Sequence, residues 1–91
     1  MLKDKIILIT GAASGLGKAW AENFHKEGAV VFACDVNEEG LADLDNIGVN
    51  TRVTDVSVAQ EVSSFIDYAI QTSGRVDVLF NNAGMGFGHK M

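Results

Sequence analysis

Ile6-Ile7-Leu8-Ile9-Thr10-Gly11-Ala12-Ala13-Ser14-Gly15-Leu16-Gly17 joins an apolar, β-branched run to a glycine-rich turn and then to a helical pattern. A continuous apolar run of this kind suits a strand buried on both faces, as in a parallel sheet. Gly11 offers a residue without Cβ for a tight turn off that strand. Gly15 lets the backbone approach an anion, Gly17 lets the helix pack close to the sheet, and Ser14 adds a hydroxyl. Glycine spacing alone is weak evidence; the strand before it and the helix after it give it meaning.

Working outward, Val30–Cys34 and Val76–Phe80 read as similar buried strands, and the more polar Val49–Thr54 as a strand at a sheet edge. Between them lie helical patterns. Gly15 to Glu27 carries Leu16, Trp20 and Phe24 at every fourth position and stops at Gly28. A short helix begins after Asn37, with Glu38 and Glu39 in its first turn, includes Leu41 and Leu44, and ends before Gly48. For the third helix, Ser57 and Gln60 have capping-box spacing. Val58, Val62, Phe65, Ile66, Ala69 and Ile70 form its apolar stripe, and Gly74 ends it. The order β-α-β-α-β-α-β predicts a parallel sheet with right-handed crossovers.

Asp35 stands 18 residues after Gly17, at the end of the second strand pattern. A carboxylate there accepts hydrogen bonds from the hydroxyls of an adenosine ribose and repels a 2′-phosphate. No Arg adjoins it or falls within the glycine loop, which favours NAD over NADP. The competing role for Asp35 is a solvated turn acid, or a cap for the helix starting near Asn37.

The 91 residues suffice for one small domain. At this size about 64% of the unfolded surface is buried on folding, enough for one modest core. The net charge of −5 leaves no electrostatic footprint for nucleic acid or an anionic membrane. The apolar run near the N-terminus is too short to span a bilayer, and no small-residue cleavage site follows it. The one cysteine, Cys34, lies inside an apolar run, so a buried inert thiol and a reducing cytoplasm are expected. His25 and His89 are isolated, and no cluster has metal-ligand spacing.

The spacing Thr-Gly-x-x-x-Gly-x-Gly, together with Asn81-Asn82-Ala83-Gly84 after the fourth strand pattern, resembles the short-chain dehydrogenase/reductase family. The resemblance covers almost the whole chain. It implies the first part of a Rossmann-type, three-layer α/β fold over residues 1–91, with four parallel strands in the order 3-2-1-4. It also implies cofactor contacts from Gly11, Ser14, Gly15, Leu16 and Gly17 on the pyrophosphate side and from Asp35 on the ribose. Asp55 and Val56 would flank the adenine, although Asp55 serves equally well in a local turn before Ser57. Asn82, Ala83 and Gly84 would lie along the cofactor, while Asn81 ties neighbouring strands together. The family's catalytic Ser and Tyr-x-x-x-Lys have no counterpart in this chain. Its only tyrosine, Tyr68, is followed four residues later by Thr72 and is expected at a surface position on the third helix. The truncated pattern leaves the fourth strand's edge and part of one sheet face uncovered, so a homodimer is expected through one of them. An NAD-dependent oxidoreductase completed by assembly, and a non-enzymatic interaction module or gene fragment, are the alternatives.

Overall fold

Strands and helices alternate along the chain as β1 (Ile6–Thr10), α1 (Gly15–Lys26), β2 (Val30–Asp35), α2 (Glu38–Asn46), β3 (Asn50–Val53), α3 (Ala59–Ser73) and β4 (Val78–Asn81). The structure is a computed structural model and describes residues 2–82. All three strand pairings are parallel, in the order β3-β2-β1-β4.

The apolar runs of β1 and β2 take the two inner places, where both sheet faces are covered. Every residue of β1 is buried. Strand alternation then sorts the side chains into two layers. Ile7, Ile9, Val31 and Ala33 pack on one face with Ala21 of α1 and Leu41 and Leu44 of α2. Ile6, Leu8, Phe32 and Cys34 pack on the other with Phe65 and Ala69 of α3. The result is the expected three-layer arrangement. Full burial of a side chain such as Phe32 or Phe65 contributes about 2–3 kcal/mol each.

The helix ends follow local chemistry. Asn37 caps α2, its side-chain oxygen accepting from Gly40 N–H at 3.2 Å. Gly74 closes α3 in the left-handed region at φ 85°, donating its N–H to Ile70 O at 2.7 Å.

Four expectations are corrected. α3 begins at Ala59, without a Ser57–Gln60 capping box. Instead Asp55 Oδ1 accepts from Ser57 N–H and Oγ–H at 3.0 and 2.6 Å, while Glu61 Oε1 accepts from Asp55 N–H at 2.8 Å. An Asp binds the backbone two residues on more readily than Ser does, and this displaces the cap. Leu16 is 55% exposed, because a side chain in a helix's first turn leans back past the end of the sheet. β4 is not buried on both faces. Its outer flank is unpaired among the described residues, leaving Val78 39% and Leu79 46% exposed. Finally, Tyr68 is half-buried: its ring meets Phe32 edge-on at 5.3 Å and the Arg52 guanidinium lies 4.2 Å from its centre.

Candidate nucleotide-binding site

Because all four strands run the same way, their C-terminal ends share one edge of the sheet. The strand order reverses between β1 and β4, the place where parallel α/β sheets open a crevice. The loop from Gly11 to Ser14 leaves β1 at that point. Gly11 and Gly15 hold φ of 66° and 58°, conformations that side chains resist, and a Cβ on Gly15 would meet nothing within 4 Å. The backbone at Gly15 therefore faces open space.

Two loop amides are used internally. Ala12 N–H donates to Cys34 O at 3.1 Å, and Ala13 N–H to Asp35 Oδ2 at 3.0 Å. The next amides have no such sink. The first bond of α1 runs from Lys18 N–H to Ser14 O at 3.3 Å, so the N–H groups of Gly15, Leu16 and Gly17 precede the helical ladder. The exposed Ser14 side chain caps none of them. A helix end with free donors and the positive end of its dipole is suited to a phosphate.

Gly17 makes the corner tight. A Cβ there would stand 2.3 Å from Gly11 O and 2.8 Å from Asn82 Nδ2. Asn82 Nδ2 itself donates to Gly11 O at 3.1 Å, so this side chain braces the turn. Its neighbour Asn81 accepts from Thr10 Oγ at 2.9 Å, linking β4 to β1. Ala83 and Gly84 lie outside the described residues.

Asp35 ends β2 with its carboxylate directed to the glycine loop. Oδ2 receives Ala13 N–H and Oδ1 receives Asn37 N–H, both at 3.0 Å. Each oxygen retains a lone pair for another donor. Arg52 sits opposite Cys34 in the β2–β3 register, one residue from Asp35, but its guanidinium is laid on Tyr68 on the α3 side. Asp55 is anchored by Ser57, whose hydroxyl and backbone bonds hold its carboxyl below the usual carboxylate range. Val56 lines a cleft of about 430 Å³ with Thr10, Phe65, Leu79 and Asn81. That cleft adjoins the glycine loop through Thr10 rather than enclosing it. The glycine loop, Asp35 and Asp55–Val56 thus share the strands' C-terminal edge.

The sequence did not signal three further contacts, two of them at this corner. Gly40 of α2 abuts Ala13. Lys18 of α1 bonds Asp43 of α2 at 2.8 Å, which raises the lysine pKa and lowers that of the acid. At the far end of the sheet Asp77 Oδ2 accepts from Ile6 N–H at 2.8 Å and pairs with Arg75, and those contacts hold its carboxyl low.

A family model described as short chain dehydrogenase matches residues 5–91. The chain belongs to that family. The short-chain dehydrogenase fold accounts for the crevice, the glycine turn and the strand order together. A rat (Rattus norvegicus) protein, dehydrogenase/reductase SDR family member 6, is 43% identical over 84 residues, covering 91% of this chain and 33% of its own length. The 3-oxoacyl-(acyl-carrier-protein) reductase of Thermotoga maritima is 40% identical over 90 residues, covering 92% and 37%. Among solved structures, the 3-ketoacyl-(acyl-carrier-protein) reductase of Brucella melitensis complexed with NADH superposes with a TM-score of 0.81 at 34% identity. It aligns with 87% of this chain and 34% of that one. An actinorhodin polyketide ketoreductase variant with NADPH gives 0.79 at 39% identity over 89% and 33%. This short-chain dehydrogenase sequence spans about a third of the length of these relatives.

Proposed function

We propose that this chain is an NAD-binding half of the short-chain dehydrogenase architecture, one domain over residues 1–91, that works as a homodimer. The observation carrying the cofactor assignment is the pairing of two complementary elements. The free amides of Gly15, Leu16 and Gly17 suit the diphosphate, and the Asp35 carboxylate, tied to the same loop through Ala13, suits the adenosine ribose. Ser14 and Leu16 border the pyrophosphate, Asp55 and Val56 the adenine, and Asn82, Ala83 and Gly84 the rest of the dinucleotide.

NAD is favoured over NADP on charge. Asp35, Glu38 and Glu39 follow one another closely at the ribose end, and the nearby Arg52 is engaged with Tyr68. A 2′-phosphate would meet carboxylates, while Arg52 and Lys18 among the described residues are already engaged with Tyr68 and Asp43.

Bound NAD supplies a nicotinamide able to accept or donate hydride. On this reading the residues named above bind and orient, and among the described residues Tyr68 is not placed to move a proton. Tyr68 is held between Phe32 and Arg52, and its carbonyl accepts from Thr72 Oγ at 2.7 Å. Hydride transfer, on this reading, draws on groups other than those of residues 2–82. The exposed β4 edge, with Val78 and Leu79, is the surface proposed for the twofold contact. No helix among the described residues is long and apolar enough to cross a membrane, and the buried Cys34 thiol suits a reducing cytoplasm.

Calorimetric titration tests the cofactor assignment. NAD should bind, ADP-ribose should bind nearly as well, and Asp35→Ala should weaken both by about 10- to 100-fold, the worth of a hydrogen bond to a charged group. Gly15→Val should abolish binding. Unchanged affinity in both variants, or no binding by the wild-type chain, refutes the assignment.

A further inference from the structure

Residue 40 breaks a local rule. It is the third residue of α2, where a capping box places Glu or Gln, and glycine is a poor helix former there. Its φ is not in the left-handed region, so backbone conformation does not call for glycine. Packing does. A Cβ on Gly40 would lie 2.6 Å from Ala13 Cβ and 2.7 Å from Ala13 O, whereas ordinary contacts begin at 3.4 Å.

This contact closes a ring. Ala13 N–H donates to Asp35 Oδ2 and Asn37 N–H to Asp35 Oδ1. Gly40 N–H donates to Asn37 Oδ1, and Gly40 then packs back on Ala13. Local preferences are broken where another demand overrides them. Here the demand is a close approach between α2 and the glycine loop.

We infer that Gly40 is a positioning residue for an adenosine diphosphate ligand. By letting α2 close on Ala13, it fixes the separation between the loop's free amides and the Asp35 carboxylate, so that diphosphate and ribose are gripped together. The inference rests on the cofactor assignment above. With a methyl at residue 40, something must move by about 1 Å, the shortfall against ordinary contact. α2 is anchored by the buried Leu41 and Leu44 and by the Lys18–Asp43 ion pair. Beyond Ala13 the chain runs into the exposed Ser14 and the unobstructed Gly15, so the loop yields on that side.

The test compares ADP with adenosine, which lacks the diphosphate, on the wild-type chain and Gly40→Ala. ADP affinity is read by calorimetry, and adenosine by ligand-observed NMR. Gly40→Ala should weaken ADP at least about tenfold and adenosine by no more than about twofold, because a displaced loop costs the phosphate bonds and not the ribose bonds. Without ligand, backbone amide resonances of Ala13, Ser14 and Gly15 should shift while those of Phe65 and Ala69 on α3 stay in place. Ala13→Gly removes the facing methyl with no clash, and serves if Gly40→Ala does not fold; it should also weaken ADP selectively. Equal ADP affinity in a folded variant, or equal losses for both ligands, overturns the inference while leaving the cofactor assignment standing. A wild-type chain that binds neither ligand overturns both.

Discussion

Gly17→Ala should destabilise the chain even though alanine is the better helix former. The new Cβ would stand 2.3 Å from Gly11 O, over 1 Å inside the 3.4 Å at which ordinary contacts begin. The obstacle is backbone, held between the buried Thr10 and Ala12, so it cannot rotate aside as a flexible side chain would. Overpacking of this kind costs about 1–3 kcal/mol. The methyl also stands 2.8 Å from Asn82 Nδ2 and disrupts its bond to Gly11 O, a further loss of about 1 kcal/mol. Higher helix propensity returns about 1 kcal/mol, so these last two effects cancel. A net loss near 2 kcal/mol lowers the melting temperature of a domain this size by roughly 8–16 °C. Thermal unfolding followed by far-ultraviolet circular dichroism measures it. In an Asn82→Ala background, where one obstacle is gone, the same change should cost less. A melting temperature unchanged or raised by Gly17→Ala would show that α1 does not press on the Gly11 turn.

Asp77→Asn should flatten the acid side of the stability profile. Its carboxyl is depressed by the Ile6 N–H, then by Arg75. A depressed carboxylate adds stability above the ordinary Asp value of about pH 3.9, and that stability is lost as the pH falls through the lower folded value. Urea midpoints at pH 6 and below pH 3.9 should converge more in the variant than in the wild type; equal differences would deny the linkage. Cys34 should resist thiol reagents in the folded state, because burial pushes its pKa up to about 12. Its labelling rate should track global unfolding with urea, and fast labelling without denaturant would contradict the packing. Leu79→Lys, placing a charge on the β4 edge, should shift sedimentation from dimer to monomer; a dimer of undiminished strength would exclude that edge as the contact.

Much of the fold can be read from side-chain periodicity, because β1 and β2 are apolar at every position before their last residues, Thr10 and Asp35, as suits an inner strand of a parallel sheet. Helix stops at Gly28 and Gly74 are local chemistry and are equally legible. What could not be read depends on contacts between distant segments. Whether Ser57 or Asp55 organises the start of α3 turns on where Glu61 lands. The apolar letters of β4 do not reveal that one flank lacks a neighbour among the described residues. Nor does any pattern show that Arg52 lies on Tyr68, or that Gly40 is set by Ala13 rather than by its own helix. At the candidate site the glycine turn and Asp35 stand out in the sequence. The sharing of Asp35 between loop and helix does not, since it is a property of the folded corner.

The register of β1 with β4 bears on how the molecule is made. Ile7 faces Val78 and Thr10 faces Asn81, and the Asp77–Ile6, Thr10–Asn81 and Asn82–Gly11 bonds all span the same 71 residues. Loop-closure entropy makes such pairings late, whereas β1 can meet β2 over a much shorter stretch. On a ribosome, the first strand therefore waits with its β4 flank bare until residues 78–81 have emerged. Through that interval the nascent chain offers apolar backbone to any passing extended segment, and a holding chaperone would find its target in Ile6–Thr10.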